Sequence, residues 1–180
     1  KPALALAIQG AARIETLVND LLLFSREESY RLGTVDLAEV VREAARYALE
    51  GWEGTAALDG LSEAIVLADR EKLLRVVVNA LKNAREAMNE TGRLDISIAA
   101  QGRWRTLSIA DTGTGIAVQD LPRLFEPFFT TKIDGTGLGL AYAKKVVEGM
   151  QGSITLANRA DGQGAVLSIR LPGAGKEQHG

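Results

Sequence analysis

Two glycine clusters, "DTGTG" at 111–115 and "GTGLGL" at 135–140, bracket an aromatic, proline-broken stretch that contains "LFEPFFTTK". These five glycines in two short turns constrain the chain more than any other feature. Glycine tolerates positive φ and lets the backbone approach a neighbour closely. The bias is wider than the two turns, since thirteen of the nineteen glycines lie at or after Gly102. The first cluster follows the β-rich run "TLSIA", and the second opens a helical pattern. A helix start presents free backbone N–H groups and the positive end of the helix dipole, a natural place for phosphate. Residues 117–134 lie between the two glycine turns as a candidate movable cover over whatever the turns hold.

The rest of the chain supplies a frame for these turns. Apolar residues at Leu4, Ile8, Ala11, Ile14, Val18 and Leu21 predict a long amphipathic helix, ended by the polar break "REESYRLG". This places a boundary near residue 30: an N-terminal helix over 1–29, a globular domain over 30–174 and a tail over 175–180. Thr34 or Asp36 suits the cap of a helix whose apolar face is Leu37, Val40, Val41, Ala44 and Ala48. "EAIVLAD" reads as a buried strand, and Asp69 then caps a helix reaching about Met88. "RLDISIAA" with "RWRTLSIAD", and "GSITLAN" with "GAVLSIRLP", predict two hairpins, and "GLGLAYAKKVVEGM" a helix ending at Gly149. The fold class expected is α+β: a two-layer sandwich, a mixed sheet with helices on one face, plus the long N-terminal helix.

Composition narrows the function classes. A formal net charge of -2 gives no global basic field for nucleic acid or an anionic membrane surface. The chain has no cysteine, which excludes disulfides and thiolate metal sites and fits a reducing compartment. Its apolar runs fall far short of the roughly 20 residues of a spanning helix. A cytoplasmic domain is expected, with any membrane anchor lying upstream.

Three groups of residues can carry chemistry. In "VVVNALKNAREAM", Asn79 and Asn83 stand four apart and project from one helix face. Asparagine is a poor interior helix former, so the pair needs a reason; a carbonyl oxygen on a rigid helix can ligate Mg²⁺, which shares its coordination with phosphates. Asp111 stands at a strand end, and its carboxylate accepts hydrogen bonds only, which matches the exocyclic amine of adenine. Gly113 and Gly115 would let the backbone approach a flat ring. Two better-known phosphate loops are excluded: the only Gly-Lys, at Gly175, is followed by Glu177, and Val118 and Leu140 occupy the third glycine position of G-x-G-x-x-G.

The order of these motifs, an Asn-bearing helix, Asp-Thr-Gly-x-Gly, "LFEPFFTTK" and Gly-Thr-Gly-Leu-Gly-Leu, strongly resembles the ATP-binding catalytic domain of two-component sensor histidine kinases, of the Bergerat fold and the nitrogen-regulation subtype. The resemblance covers about residues 34–172, and "RIETLVNDLLLFSR" resembles the second helix of that family's dimerisation hairpin. It implies ATP and Mg²⁺ as cofactors, with Asn83 as metal ligand and Asn79 beside the phosphates. Asp111 then binds the adenine amine, while Gly113, Gly115 and Ile116 shape the base pocket. Thr131, Gly135, Thr136, Gly137, Leu138, Gly139 and Leu140 line the phosphate end, and Phe125 and Phe128 anchor the lid. Asn79 and Lys132, which reaches the terminal phosphate, are the residues it implies for catalysis. The implied partners are a phosphoacceptor histidine helix of the same or a second subunit, a response-regulator receiver domain and a second copy in a homodimer.

Two departures qualify the resemblance. The single histidine, His179, lies in the tail with no acidic neighbour of the kind that accompanies a phosphoacceptor, so the acceptor is not in this chain. Gly164 is followed by Ala165 where related domains often have threonine. Alternatives also stay open at this point: a nucleotide-gated interaction module, a phosphatase-biased sensor domain, or another ATPase of the same fold. Water-hydrolysing relatives carry glutamate at the position of Asn79, and an amide cannot take a proton from water.

Overall fold

A computed structural model describes residues 10, 11, 14, 15, 17–19, 21, 22, 25, 29–58, 61–88, 91–132 and 135–174. The described residues among 10–25 are helical. Most of the expected leading helix and the tail with His179 lie outside the described residues. No described helix is long and apolar enough to cross a membrane.

Strand β1 (Gly33–Asp36) opens the globular part and leads directly into α1 (Leu37–Ala48). Asp36 ends the strand and caps the helix: its Oδ1 accepts from Ala38 N and from Ala64 N, both at 3.0 Å. One carboxylate oxygen thus closes an orphan helix donor and ties in the chain entering β3 (Ile65–Ala68), which pairs antiparallel with β1. Asp69, only 7% exposed, repeats the device for α2 (Arg70–Ala87). Its Oδ1 accepts from Lys72 N at 3.2 Å, and its Oδ2 from Arg31 N at 2.9 Å.

The main sheet runs β2 (Thr55–Ala57), β4 (Arg93–Gln101), β5 (Trp104–Asp111), β7 (Ala165–Pro172), β6 (Ser153–Asn158) in spatial order. The β2–β4 pair is parallel and the others antiparallel, so the sheet is mixed. Period-2 alternation sorts its faces. Leu94, Ile96, Leu107, Ile109, Leu167, Ile169 and Leu171 are buried and belong to one core with α1, α2 and α3 (Gly139–Gly149). On the opposite face Ser97, Ser108, Ser168 and Thr155 align in register across four strands, a polar row suited to water. Trp104 lies on that face between the guanidinium groups of Arg103 and Arg170, at 4.6 and 4.4 Å from its ring. The α+β two-layer sandwich expected from the sequence is the observed architecture.

Helix α2 supplies the middle of the helical layer, burying Leu73, Val76, Val77, Ala80, Leu81 and Ala84 between α1, α3 and the sheet. Its apolar stripe explains why the helix forms; what its other face carries is the site. Strands β1 and β2 were not expected: each is only four or three residues long, too short for periodicity to reveal.

The cap at Asp36 can be tested directly. Asp36→Ala removes an acceptor from two backbone donors and is expected to lower unfolding free energy by about 1–2 kcal/mol. Asp36→Asn, which keeps the carbonyl, retains most of that stability. Urea unfolding followed by circular dichroism reads both variants.

Candidate functional site

Asn79, Asn83 and Ala87 recur every four residues along α2, and each meets a different part of the glycine-bracketed region. A Cβ added to Gly139 would lie 2.8 Å from the Asn79 amide, so the start of α3 abuts the first of them. The Lys132 ammonium donates to Asn83 Oδ1 at 2.8 Å and to the Glu86 carboxylate. Thr114 N donates to Ala87 O at 3.3 Å, and a Cβ on Gly113 would come within 2.6 Å of the same carbonyl. Eight residues of helix span about 12 Å. Both glycine clusters therefore lie along one face of α2.

At the α2 C-terminal end stands Asp111, the last residue of β5 and only 6% exposed. Its Oδ1 accepts from Gly113 N at 2.9 Å and Ala165 N at 3.2 Å. Among the described residues Oδ2 has no protein donor, so one oxygen is structural and the other is left for a ligand. A buried carboxylate with a single open acceptor position selects a donor such as an amine.

Neighbouring strands hold the loop after Asp111. Asn158, at the end of β6, accepts from Ile116 N at 2.7 Å and donates to Ile116 O at 2.8 Å, pairing with the loop as a strand would. Gly115 adopts φ 71°, and a Cβ there would press on the Asn158 oxygen at 3.1 Å. Gly164 sits at φ 88° against the Asp111 backbone, where a Cβ would fall 2.0 Å from its carbonyl oxygen. Arg159 braces this turn: its N–H donates to Gly164 O at 3.1 Å, and its guanidinium bonds Asp161 and reaches Asp95 on β4. The hydrogen bond from Arg159, assisted by Gln163 N, holds the exposed Asp161 carboxyl below its ordinary range.

At the other end of the face, α3 begins at Gly139 with no side-chain cap on its first turn. Its leading N–H groups are available to an anion. Asn79 Nδ2 is buried without a hydrogen-bond partner, an arrangement that costs stability unless a ligand completes it. Thr136 Oγ1 accepts from Leu138 N at 3.4 Å and shapes the approach to the helix, with Leu138 buried and Leu140 packed against the core.

The two phenylalanines expected as anchors occupy different environments. Phe125 packs against the core and lies 5.9 Å from the Lys144 ammonium. Phe128 is 60% exposed and adopts φ 67°, its N–H donating to Gly137 O at 3.0 Å. Gly137, at φ 68°, lies so close that a Cβ would be 2.4 Å from the Phe128 carbonyl carbon. Phe129 is the better covered of the adjacent pair, with Arg123 stacked at 4.4 Å. Thr131 is exposed.

Sequence reasoning passed over Glu86 and Asn158, and noted Gly164 only as the residue before Ala165. Glu86 carried a signal, standing three residues after Asn83 on the same helix. Nothing local marked Asn158 or the packing of Gly164 on Asp111, because their partners lie 42 and more than 50 residues away. Gly164→Ala tests that packing. The substitution forces a side chain into left-handed backbone against the Asp111 carbonyl, and is expected to destabilise by about 1–3 kcal/mol or more, read as a lowered thermal midpoint.

The family model for histidine kinase-, DNA gyrase B- and HSP90-like ATPases matches residues 68–175, which include α2, Asp111 and both glycine clusters. The sensor histidine kinase ZraS of Klebsiella oxytoca is 32% identical over 181 residues, covering 93% of this chain and 37% of its own length. The chain thus spans little more than a third of that relative. Full-length ShkA, solved in complex with AMPPNP, superposes with a TM-score of 0.78 at 29% identity, covering 97% of this chain and 39% of that one. The histidine kinase ThkA, solved in complex with the response regulator protein TrrA, gives 0.78 at 27% identity over 97% of this chain and 51% of that one. By fold, motif order and these likenesses, the chain belongs to the histidine kinase-, DNA gyrase B- and HSP90-like ATPase family, as a histidine-kinase ATP-binding domain.

Proposed function

We propose that this domain binds Mg²⁺·ATP along the half-buried face of α2 that carries Asn79, Asn83 and Ala87, and presents its terminal phosphoryl group to a histidine carried outside this chain, for relay to a response regulator. The observation that carries the proposal is the convergence of three contacts on one helix face: Gly139 at Asn79, Lys132 at Asn83 and Gly113 at Ala87. A nucleotide lying along that face would have its base at Asp111 and its phosphates at the start of α3.

The residues fit the two groups. Asp111 Oδ2 is the acceptor for the adenine amine, with Gly113, Gly115 and Ile116 forming the pocket wall. The uncapped turn at Gly139 and Leu140, with Gly135, Thr136, Gly137 and Leu138 before it, receives the phosphates, and the orphaned Asn79 amide supplies a donor to them. Asn83 Oδ1 already accepts a cation, the Lys132 ammonium. Among the described residues no group of three or more His, Asp or Glu side chains could hold a metal. The arrangement therefore suits Mg²⁺ that arrives on phosphate oxygens and takes one protein oxygen, Asn83, rather than a free-standing metal. Bound there, Mg²⁺ would neutralise phosphate charge.

Asn79 argues for transfer to another nucleophile rather than to water. Phosphoryl transfer asks the protein chiefly for positioning and charge neutralisation, and hydrolysis needs in addition a group that orients and deprotonates water. Asn79 can donate to a phosphate and cannot act as that base. Lys132 is placed to move to the terminal phosphate. In this reading the acceptor helix lies in the same subunit or in a second subunit of a homodimer, the receiver domain is that of a partner response regulator, residues 1–29 are part of the dimerisation hairpin and 30–174 are the catalytic domain.

Two measurements check the proposal. Titration calorimetry of the unmodified chain with Mg²⁺·ATP should give heat. Asp111→Asn keeps the Oδ1 contacts that support the fold but turns an NH₂ toward the adenine amine, so affinity should fall about 10- to 100-fold, the loss of a charged hydrogen bond of ~1.5–3 kcal/mol. Unchanged affinity removes the base assignment. Labelled ATP mixed with this chain and a separate histidine-bearing hairpin should leave label on the histidine; nucleotide binding with no label points instead to a nucleotide-gated interaction module.

A further inference from the structure

The Lys132 ammonium bridges two oxygens of α2, Asn83 Oδ1 at 2.8 Å and the Glu86 carboxylate. The side chains of Lys132 and Glu86 are 41% and 55% exposed, so the pair is open to solvent and to exchange. Its presentation is nonetheless built. Lys132 N donates to Thr130 Oγ1 at 3.1 Å, and Gly135 N donates to Lys132 O at 3.3 Å. A Cβ on Gly135 would meet Thr130 Oγ1 at 2.4 Å and Lys132 Cβ at 3.1 Å, so Gly135 packs closely on both side chains. These local bonds hold Lys132 while its ammonium reaches α2. Arg85, the neighbouring cation on the helix, is engaged elsewhere, donating to Ala48 O and Glu50 O.

We infer that Lys132 and Glu86 form an exchangeable tether, in which Glu86 is a positioning residue. Without nucleotide, the ammonium holds the loop against α2 on the oxygens that a phosphate-borne cation would approach. The inference rests on the nucleotide-site reading above. A triphosphate entering with its metal brings net negative charge to one side of Lys132 and positive charge to Asn83. Both changes move the ammonium off α2 and onto the terminal phosphate. A diphosphate offers no group at that place, so the ammonium stays on Glu86. The loop's position would then report which nucleotide is bound, with the same side chain serving both arrangements.

Hydrogen exchange of the loop amides at 128–132 and calorimetry with Mg²⁺·ATP and Mg²⁺·ADP test this on the 180-residue chain. Glu86→Gln should speed loop exchange in the nucleotide-free chain and tighten Mg²⁺·ATP about two- to fivefold, the range expected on releasing an exposed ion pair. Lys132→Gln should speed exchange equally but erase the preference for ATP over ADP. The charge-reversed double variant E86K/K132E should restore slow exchange without restoring that preference. If Glu86→Gln leaves exchange unchanged, or weakens Mg²⁺·ATP, while the unmodified chain still binds, the tether is wrong. If the unmodified chain gives no heat with either nucleotide, the nucleotide-site reading fails and the exchange fails with it.

Discussion

Everything in the site is measured off one straight helix. Burial of Leu73, Val77, Ala80, Leu81 and Ala84 locks α2 between its neighbours and the sheet, so the half-buried row beside that stripe cannot rotate. Asn79, Asn83 and Ala87 then stand one turn apart at a fixed pitch, and three segments distant in sequence dock on them. A slip of one residue in α2 would turn this row about 100° away from its partners. Asp69 guards against that slip: its buried carboxylate starts the helix and also accepts from Arg31, tying the register of α2 to the chain before β1.

The carboxylate at the other end of the face divides its two oxygens between different surroundings. Asp111 uses one oxygen to accept from Gly113 and Ala165, which keeps a buried charge solvated by backbone dipoles. That engagement fixes the side chain and leaves the second oxygen open in a known direction. The glycines around it follow from crowding rather than from flexibility. Gly113 faces the Ala87 carbonyl and Gly164 the Asp111 carbonyl, at distances no side chain survives. Rigid placement of the acceptor costs little when the ligand arrives, because its own ordering is already complete.

Much of this was legible in the residues. The hairpins, α2 with its Asp69 cap, and the alternating strand faces all follow from local periodicity and cap chemistry, which need no distant partner. The helix start at Gly139 rather than Gly137 was not legible, because Gly137 takes left-handed backbone to accept from Phe128, a contact made only in the folded chain. The two short strands and the Asn158 clamp escaped for the same reason. Phe125 and Phe128 look equivalent in "LFEPFF", yet one meets the core and the other faces solvent, since the turn at φ 67° points the second outward.

Local chemistry determined the main helices, the hairpins and the sandwich class, because hydrophobic period, capping carboxylates and glycine clusters act over a few residues of chain, while the order of the motifs carried the family resemblance. Only the tertiary structure decided that Asp111 spends one oxygen on the fold, that Asn79 keeps a buried amide unpartnered, and that Lys132 rests on Asn83 and Glu86. Those outcomes depend on which groups meet across a packed interface, and packing is settled by the whole chain together.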